Sequence, residues 1–152
     1  MMRKNIYASL FAALALLVAF SCGGQNRKEK EASECALAFA CDYFNFRYVD
    51  ALGHVTPDSR RVLELCASNM TRSIIDSLRN FTDTPTVAVR DTRLMDGDTL
   101  VECRVVVSNE INARTIGGYP VREEGDKTYA FRLVERGGRW MVRMAVPPRS
   151  ER

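Results

Sequence analysis

The stretch TYAFRLVERGGRWMVRM at residues 128–144 decides the fold class. From Tyr129 to Leu133 every second residue is large and apolar, which is the pattern of a strand that buries one face. After Gly137-Gly138 the same alternation resumes at Trp140 and continues through Val142. A glycine pair between two alternating runs is typical of a tight β-hairpin. The C-terminal part of the chain is therefore expected to be antiparallel sheet.

Two more strands are predicted upstream of this hairpin. Val87 and Val89 alternate with polar neighbours, and a second alternating run covers residues 100–107, with an Asp96-Gly97-Asp98 turn between the two. The residues expected to face the core are Val101, Cys103, Val105 and Val107. Residues 109–127 are rich in Gly, so we expect an irregular connection there, with a short strand around Ala113–Tyr119.

Three helices are predicted ahead of the sheet. The first is expected at Cys35–Leu52, where apolar residues are dense enough to cover more than one side of a helix. The second follows the start signal at Thr56–Ser59, and the third covers Ser73–Phe81. Helices followed by antiparallel strands indicate an α+β fold with the helices packed on one face of the sheet. The predicted domain is residues 33–146, followed by a tail at 147–152.

The N-terminal segment has the pattern of a secretory signal peptide, predicted here at residues 1–21. Arg3 and Lys4 precede an uncharged apolar run at residues 6–20, which is short for a bilayer-spanning helix. The alternative is a permanent single-pass helix. Residues 22–32 are polar after a Gly pair, so they are expected to form a flexible tether.

The residues Ala19-Phe20-Ser21-Cys22 resemble the lipobox of bacterial lipoproteins, although Ala19 stands where Leu is usual. The resemblance implies that Cys22 is acylated and becomes the first residue of the mature chain. The expected location is then the cell envelope, with the chain anchored in a membrane through this lipid. Gly23 resembles the residue at this position in lipoproteins sorted to an outer membrane, where the domain would face the periplasm. The alternative is cleavage of an ordinary, unlipidated secreted protein near Cys22.

An aromatic-rich first helix, two shorter helices and a terminal hairpin with Tyr129-x-Phe131-x-Leu133 and Gly138-Arg139-Trp140 resemble the nuclear-transport-factor-2-like superfamily, which includes ketosteroid-isomerase-like domains. The resemblance implies a curved sheet and a first helix that enclose a pocket like a cone. A cystatin-like or other α+β sheet domain is the alternative. The candidate binding residues are Tyr43, Phe46, Tyr129, Phe131 and Trp140.

An enzymatic role has little support in the sequence. The inward face of the predicted strands is apolar, so no carboxylate or imidazole is expected there for proton transfer. His54, the only His, lies in a turn four residues before Asp58, and the enzymatic alternative is a ketosteroid-isomerase-like site that uses His54 with Asp58 or Tyr43. Hydrolase, zinc-protease and P-loop motifs do not occur.

Composition and cysteine usage limit the remaining classes. The chain is 46% hydrophobic and 27% charged, which excludes a disordered protein. Loss of Arg3 and Lys4 would lower the net charge from +3 to +1, so no nucleic-acid partner is expected. No cofactor is expected, and without a C-x-x-C pair no metal site is expected. Cys35, Cys41, Cys66 and Cys103 follow Cys22, and the sequence leaves open whether they are thiols or disulfides, although Cys35 and Cys41 should not pair with each other.

Charged residues are predicted on the outer face of the sheet at Glu102, Arg104, Arg132 and Arg143. Such a row is usually solvated and paired across strands. The alternative is a contact surface for a second copy of the chain or for another envelope protein. The expected function is therefore a lipid-anchored, non-enzymatic module that binds a small apolar ligand or an envelope partner.

Overall fold

The computed structural model describes residues 24, 26–113 and 119–151. The expected signal peptide at 1–21 and the candidate lipidation site Cys22 lie outside these residues. Within them the fold is α+β: helices come first, and the antiparallel strands follow. None of the helices in the described ranges combines the length and apolar content needed to cross a membrane.

The main sheet has four antiparallel strands: β1 at Thr86–Leu94, β2 at Leu100–Ser108, β5 at Lys127–Arg136 and β6 at Arg139–Arg143. Their order in the sheet is β1-β2-β5-β6. Buried and less buried residues alternate along β2, so the four residues predicted to face the core do so. Tyr129, Phe131, Leu133, Trp140 and Val142 are buried too, which confirms the inward face of the C-terminal hairpin.

The connection between β2 and β5 contains two short strands, β3 at Ile111–Asn112 and β4 at Val121–Arg122, which pair with each other. The short strand expected around Ala113–Tyr119 is therefore displaced to either side of that range. Residues 114–118 lie outside the described residues.

The helices differ most from the prediction. Helix α1 covers residues 26–44, and it is followed by α2 at Tyr48–Ala51, α3 at Arg60–Ser68 and α4 at Arg72–Leu78. The expected helix at Cys35–Leu52 is interrupted because Phe46 has a φ of 62°, a left-handed conformation that a helix does not contain. Two short 3-10 turns, Leu52–His54 and Pro57–Ser59, lead from α2 into α3.

The expected tether at 22–32 is corrected over most of its length. Residues 26–32 are helical, and Ala32 is completely buried in the core. The polar residues of this segment lie on the exposed side of the helix, where Arg27 forms an ion pair with Glu31 at 2.8 Å. Glu29 accepts a hydrogen bond from the backbone of Leu94, which attaches the start of α1 to the sheet.

The described part of the expected tail, residues 147–151, also belongs to the fold. Ser150 pairs with Tyr129, and the backbone N–H of Glu151 donates to the carbonyl oxygen of Thr128. The tail therefore continues the edge that β6 leaves uncovered on β5. The described domain runs to residue 151 rather than ending at 146.

Helix α1 packs on the inward face of the sheet through aromatic rings. Phe39 is fully buried and makes an edge-to-face contact with Phe131, at 5.3 Å between ring centroids. Near the end of the helix, Phe44 lies 4.7 Å from the ring of Tyr129. The core thus continues from the start of α1 to its C-terminal end, where the packing opens.

Candidate functional site

A cavity of about 310 Å³ lies at the C-terminal end of α1. Its walls also include residues from helices α3 and α4, the β3–β4 segment, the first half of β5 and the C-terminal tail. The lining residues are Tyr43, Phe44, Phe46, Tyr48, Cys66, Asn69, Met70, Ile74, Glu110, Ile111, Asn112, Ala113, Glu123, Lys127, Tyr129, Pro148, Arg149 and Ser150. This volume is at the small end of the range for ligand-binding pockets.

One wall of the cavity is aromatic. Tyr43 contacts Phe44 and Tyr48 edge to face, with ring centroids 5.2 and 5.5 Å away. Phe46 lies 6.3 Å from Tyr48, and the left-handed backbone at Phe46 turns the chain so that both rings line the cavity. The interruption between α1 and α2 therefore builds this wall.

The other wall carries a connected set of polar side chains. The Tyr129 hydroxyl donates to the Glu110 carboxylate, whose two oxygens are both 2.7 Å away. Lys127 Nζ lies 3.0 Å from Glu123 and 3.9 Å from Glu110, and the Asn112 amide donates to Glu123 at 3.0 Å. Two carboxylates thus share one ammonium group.

Local backbone structure places these groups together. Asn109 has a φ of 57°, and this left-handed residue ends β2 just before Glu110. Glu110 also accepts a backbone hydrogen bond from the N–H of Glu123, which joins the β3 and β4 segments. Lys127 begins β5, two residues before Tyr129, so both side chains lie on the same side of the strand.

The surroundings shift two pKa values in this wall. Burial raises the pKa of Tyr129, and its hydrogen bond to Glu110 raises it further, so Tyr129 is a neutral donor at physiological pH. The hydrogen bond from Asn112, followed by the contact with Lys127, lowers the pKa of Glu123. Glu123 is therefore a carboxylate at neutral pH.

The structure brings together three of the five predicted binding residues. Tyr43, Phe46 and Tyr129 line this cavity. Phe131 is buried against Phe39, and Trp140 is buried with its carbonyl oxygen accepting from the Cys35 thiol at 3.2 Å. These last two residues are part of the core and do not line the cavity.

The predicted pairing of His54 with Asp58 is corrected. His54 Nε2 lies 3.5 Å from Asp42 of α1, because the 3-10 turn at Leu52–His54 folds back beside that helix. Asp58 instead lies 3.7 Å from Arg136 and 3.9 Å from Arg143. Neither His54 nor Asp58 lines the cavity that contains Tyr43.

The polar wall was not predicted from the sequence. An apolar interior was expected, but Glu110 is buried to a side-chain exposure of 14% and lines the cavity. Glu110, Asn112 and Glu123 all fall in the segment that was interpreted as an irregular connection. The available signal was a set of ionisable residues, Glu110, Glu123 and Lys127, in the segment that leads into the strand with the inward-facing Tyr129.

No disulfide joins the described cysteines, Cys35, Cys41, Cys66 and Cys103. Burial raises the pKa of Cys35 to about 11, so this thiol is protonated at neutral pH. Within the described ranges, no group of three or more His, Cys, Asp or Glu side chains is placed to hold a metal ion.

The outer face of the sheet carries the expected row of charges, with one change. The strand register places Arg93, Glu102, Arg132 and Arg143 side by side across the four strands. Arg104 belongs to the neighbouring row, where it pairs with Asp91 at 2.9 Å. Glu102 lies 3.8 Å from Arg93. The register of β5 and β6 places Arg132 directly opposite Arg143.

The comparisons with known proteins assign no family: no protein-family model and no curated protein matches the chain. The resemblance to the nuclear-transport-factor-2-like superfamily therefore rests on the sequence pattern described above.

Proposed function

We propose that this protein is a lipid-anchored protein of the bacterial cell envelope and that its nuclear-transport-factor-2-like domain is a non-enzymatic binding module. The cavity at the end of α1 carries this proposal, because it combines an aromatic wall with a few convergent polar groups. Its ligand is a small molecule with an apolar part that contacts the rings of Tyr43, Phe46 and Tyr48.

The arrangement of the polar groups favours binding over acid–base catalysis. The Tyr129 hydroxyl donates to Glu110, and Lys127 lies against Glu123, so these groups are paired with each other. The enzymatic alternative needs His54 beside Tyr43 in one pocket, but the two side chains belong to different surroundings.

Anchoring through Cys22 places the domain close to the membrane. Only Gly23 separates Cys22 from Gly24, which is already helical, and two residues span at most about 7 Å. The cavity lies at the other end of α1, which at 1.5 Å per residue is about 27 Å long. The lipid and the binding site are thus at opposite ends of one helix, which leaves the cavity open to a water-soluble ligand.

Anchoring is tested by mass spectrometry of the mature N-terminus from the membrane fraction. We expect an acylated Cys22. We expect Cys22→Ala to release the protein from membranes, because firm attachment needs several lipid chains and this variant lacks the thiol at which they are attached. Ser21→Ala, which keeps the thiol and a small residue, is the matched control. An unlipidated N-terminus, or membrane retention of processed Cys22→Ala, would refute the anchor.

Binding is tested with 2-phenylethanol, a neutral probe with one ring, by saturation-transfer NMR on the full chain in detergent. We expect weak binding that Met70→Trp abolishes, because Met70 lines the cavity and the larger side chain fills it. Leu65→Trp, on the exposed side of α3, is the matched control and measures partition of the probe into detergent. Equal signals from the parent and both variants would contradict a binding role for the cavity.

The outer sheet face is the proposed contact surface for a second copy of the chain or for an envelope protein. Arg132 is exposed and stands beside Arg143, whereas Glu102 is already close to Arg93. Like charges directly opposite each other are unfavourable. Asp58 already lies 3.9 Å from Arg143, so a carboxylate from a partner would stabilise this row mainly at Arg132.

A further inference from the structure

With respect to the described residues, Glu110 has unused capacity to accept hydrogen bonds. Its side chain is 14% exposed, and a carboxylate offers about four acceptor positions. Tyr129 has a single hydroxyl hydrogen to give, although both carboxylate oxygens are within 2.7 Å. The ammonium group of Lys127 is 3.9 Å away, which is too long for a hydrogen bond. A largely buried carboxylate with unfilled acceptor positions is stabilised when another donor forms a hydrogen bond with it.

Counted over the residues that the structure describes, the charge of the polar wall is negative. Glu110 and Glu123 contribute two negative charges, and Lys127, nearer to Glu123, contributes one positive charge. Arg149 also borders the cavity but is exposed, so water and salt screen its charge more than those of the inner groups. The inner part of the cavity therefore favours a cation over an anion.

The aromatic wall favours the same kind of ligand. The rings of Tyr43, Phe46 and Tyr48 line the same cavity as the polar groups. Aromatic faces attract ammonium groups and also provide apolar area for a hydrocarbon body. One ligand can satisfy both walls only if it joins an N–H donor to an apolar group.

We propose that the cavity binds a small organic ammonium, a protonated amine on a short apolar body, with the amine donating to Glu110 and the body lying against Tyr43 and Tyr48. This inference rests on the proposed binding function and specifies its ligand class. A cavity of about 310 Å³ limits the ligand to a small molecule.

The test compares three probes of similar shape on the full chain in detergent: 2-phenylethylamine, 2-phenylethanol and phenylacetate. Saturation-transfer NMR titrations give a Kd for each, with the cavity-filled variant Met70→Trp as background. We expect the amine to bind about tenfold more tightly than the alcohol, which corresponds to about 1.4 kcal/mol. Phenylacetate should bind more weakly than the alcohol because the wall repels anions.

Two variants test the role of Glu110. Glu110→Gln keeps the shape but removes the charge, so the preference for the amine over the alcohol should fall to about threefold or less. Glu34→Gln, on the exposed face of α1, is the matched control and should keep the full preference. Circular dichroism identifies a variant that fails to fold, and the comparison of probes on the parent protein needs no variant.

The outcomes separate the two proposals. Equal binding of amine and alcohol, or tighter binding of phenylacetate, overturns the ammonium assignment and leaves the binding module in place. Binding of none of the probes above the Met70→Trp background overturns both. A preference for the amine that survives Glu110→Gln also overturns the assignment, because the charge would then come from another group.

Discussion

Substitution of Ala32 by Asp tests whether the start of α1 belongs to the folded domain. Ala32 is completely buried in the cluster that includes Ala36 and Phe39, although its position in the sequence suggested a flexible tether. A carboxylate placed there must either remain charged in the core or take up a proton. Proton uptake at pH 7 by a group with an ordinary pKa of about 3.9 costs about 4 kcal/mol.

The larger side chain adds about 1–3 kcal/mol of strain, so Ala32→Asp should lower the free energy of unfolding by about 5–7 kcal/mol. That is most of the stability of a small domain, which is about 5–15 kcal/mol. Because the folded-state pKa of this Asp would be raised, the proton-uptake cost should shrink as the pH falls, to about 1.5 kcal/mol at pH 5.

The assay is urea denaturation followed by circular dichroism, at pH 7 and pH 5. Asn26→Asp introduces the same charge at an exposed position of the same helix, and it should change stability by less than about 0.5 kcal/mol. If Ala32→Asp stays within about 1 kcal/mol of the parent protein at pH 7, residues 26–32 are a tether and the description of α1 is wrong.

Three further predictions concern single side chains. In an alkaline titration followed by tyrosinate absorbance, one tyrosine should ionise at higher pH than the others, and Tyr129→Phe should remove this late transition. The stability that Tyr129 contributes is present below about pH 10 and is lost as the pH rises above that. The Tyr129→Phe variant should therefore lose less stability than the parent protein at alkaline pH. If the parent protein and Tyr129→Phe do not differ in a late-ionising tyrosine, the buried Tyr129–Glu110 contact is contradicted. Because burial raises the pKa of Cys35 from 9.0 to about 11, its alkylation at pH 8 should be about a hundredfold slower in the folded protein than in the urea-unfolded chain. Peptide mass spectrometry measures both rates, and equal rates would refute the burial of Cys35. Arg132→Glu should abolish concentration-dependent dimerisation in sedimentation velocity, whereas Arg61→Glu, at an exposed position of α3, should not. If the parent protein stays monomeric at all concentrations, a second copy does not bind at the sheet face.

The strands could be predicted because their signal is local. A strand with one buried face alternates at every residue, so the inward positions of β2 and β5 follow from the sequence alone. Turn chemistry added the hairpin, since Gly137 and Gly138 both have positive φ values. The pairing order β1-β2-β5-β6, with β2 beside β5, was not predicted from the sequence.

The bounds of α1 could not be predicted because tertiary contacts set them. Residues 26–31 are polar, which is typical of a tether and equally of the exposed side of a helix. Two contacts with distant strands decide between these interpretations: Glu29 with the backbone of Leu94, and Lys28 with Glu135. Neither partner is visible in the local sequence.

The polar wall was missed for the same reason. Glu110 lies beside Tyr129 only because β3 and β4 pair and bring residues 110 and 123 together. An irregular, Gly-rich segment carries no periodic signal that assigns its side chains to the interior. Alternation in the strands correctly predicted an apolar sheet face, but the cavity is completed by segments outside the strands.

The interruption after α1 links the main error in the predicted fold to the proposed site. A continuous helix over Cys35–Leu52 would follow from the local sequence, and its interruption places Phe46, a bulky residue, in a left-handed conformation that costs about 1–3 kcal/mol. Backbone hydrogen bonds from Phe46 to Tyr43 and from Arg47 to Asp42 help to hold this turn, and the Asn45 amide adds contacts to Cys41 and Pro85. The turn brings Phe46 and Tyr48 to the cavity. Backbone strain of this kind is concentrated at sites where function requires it, which favours the aromatic end of α1 as the binding site.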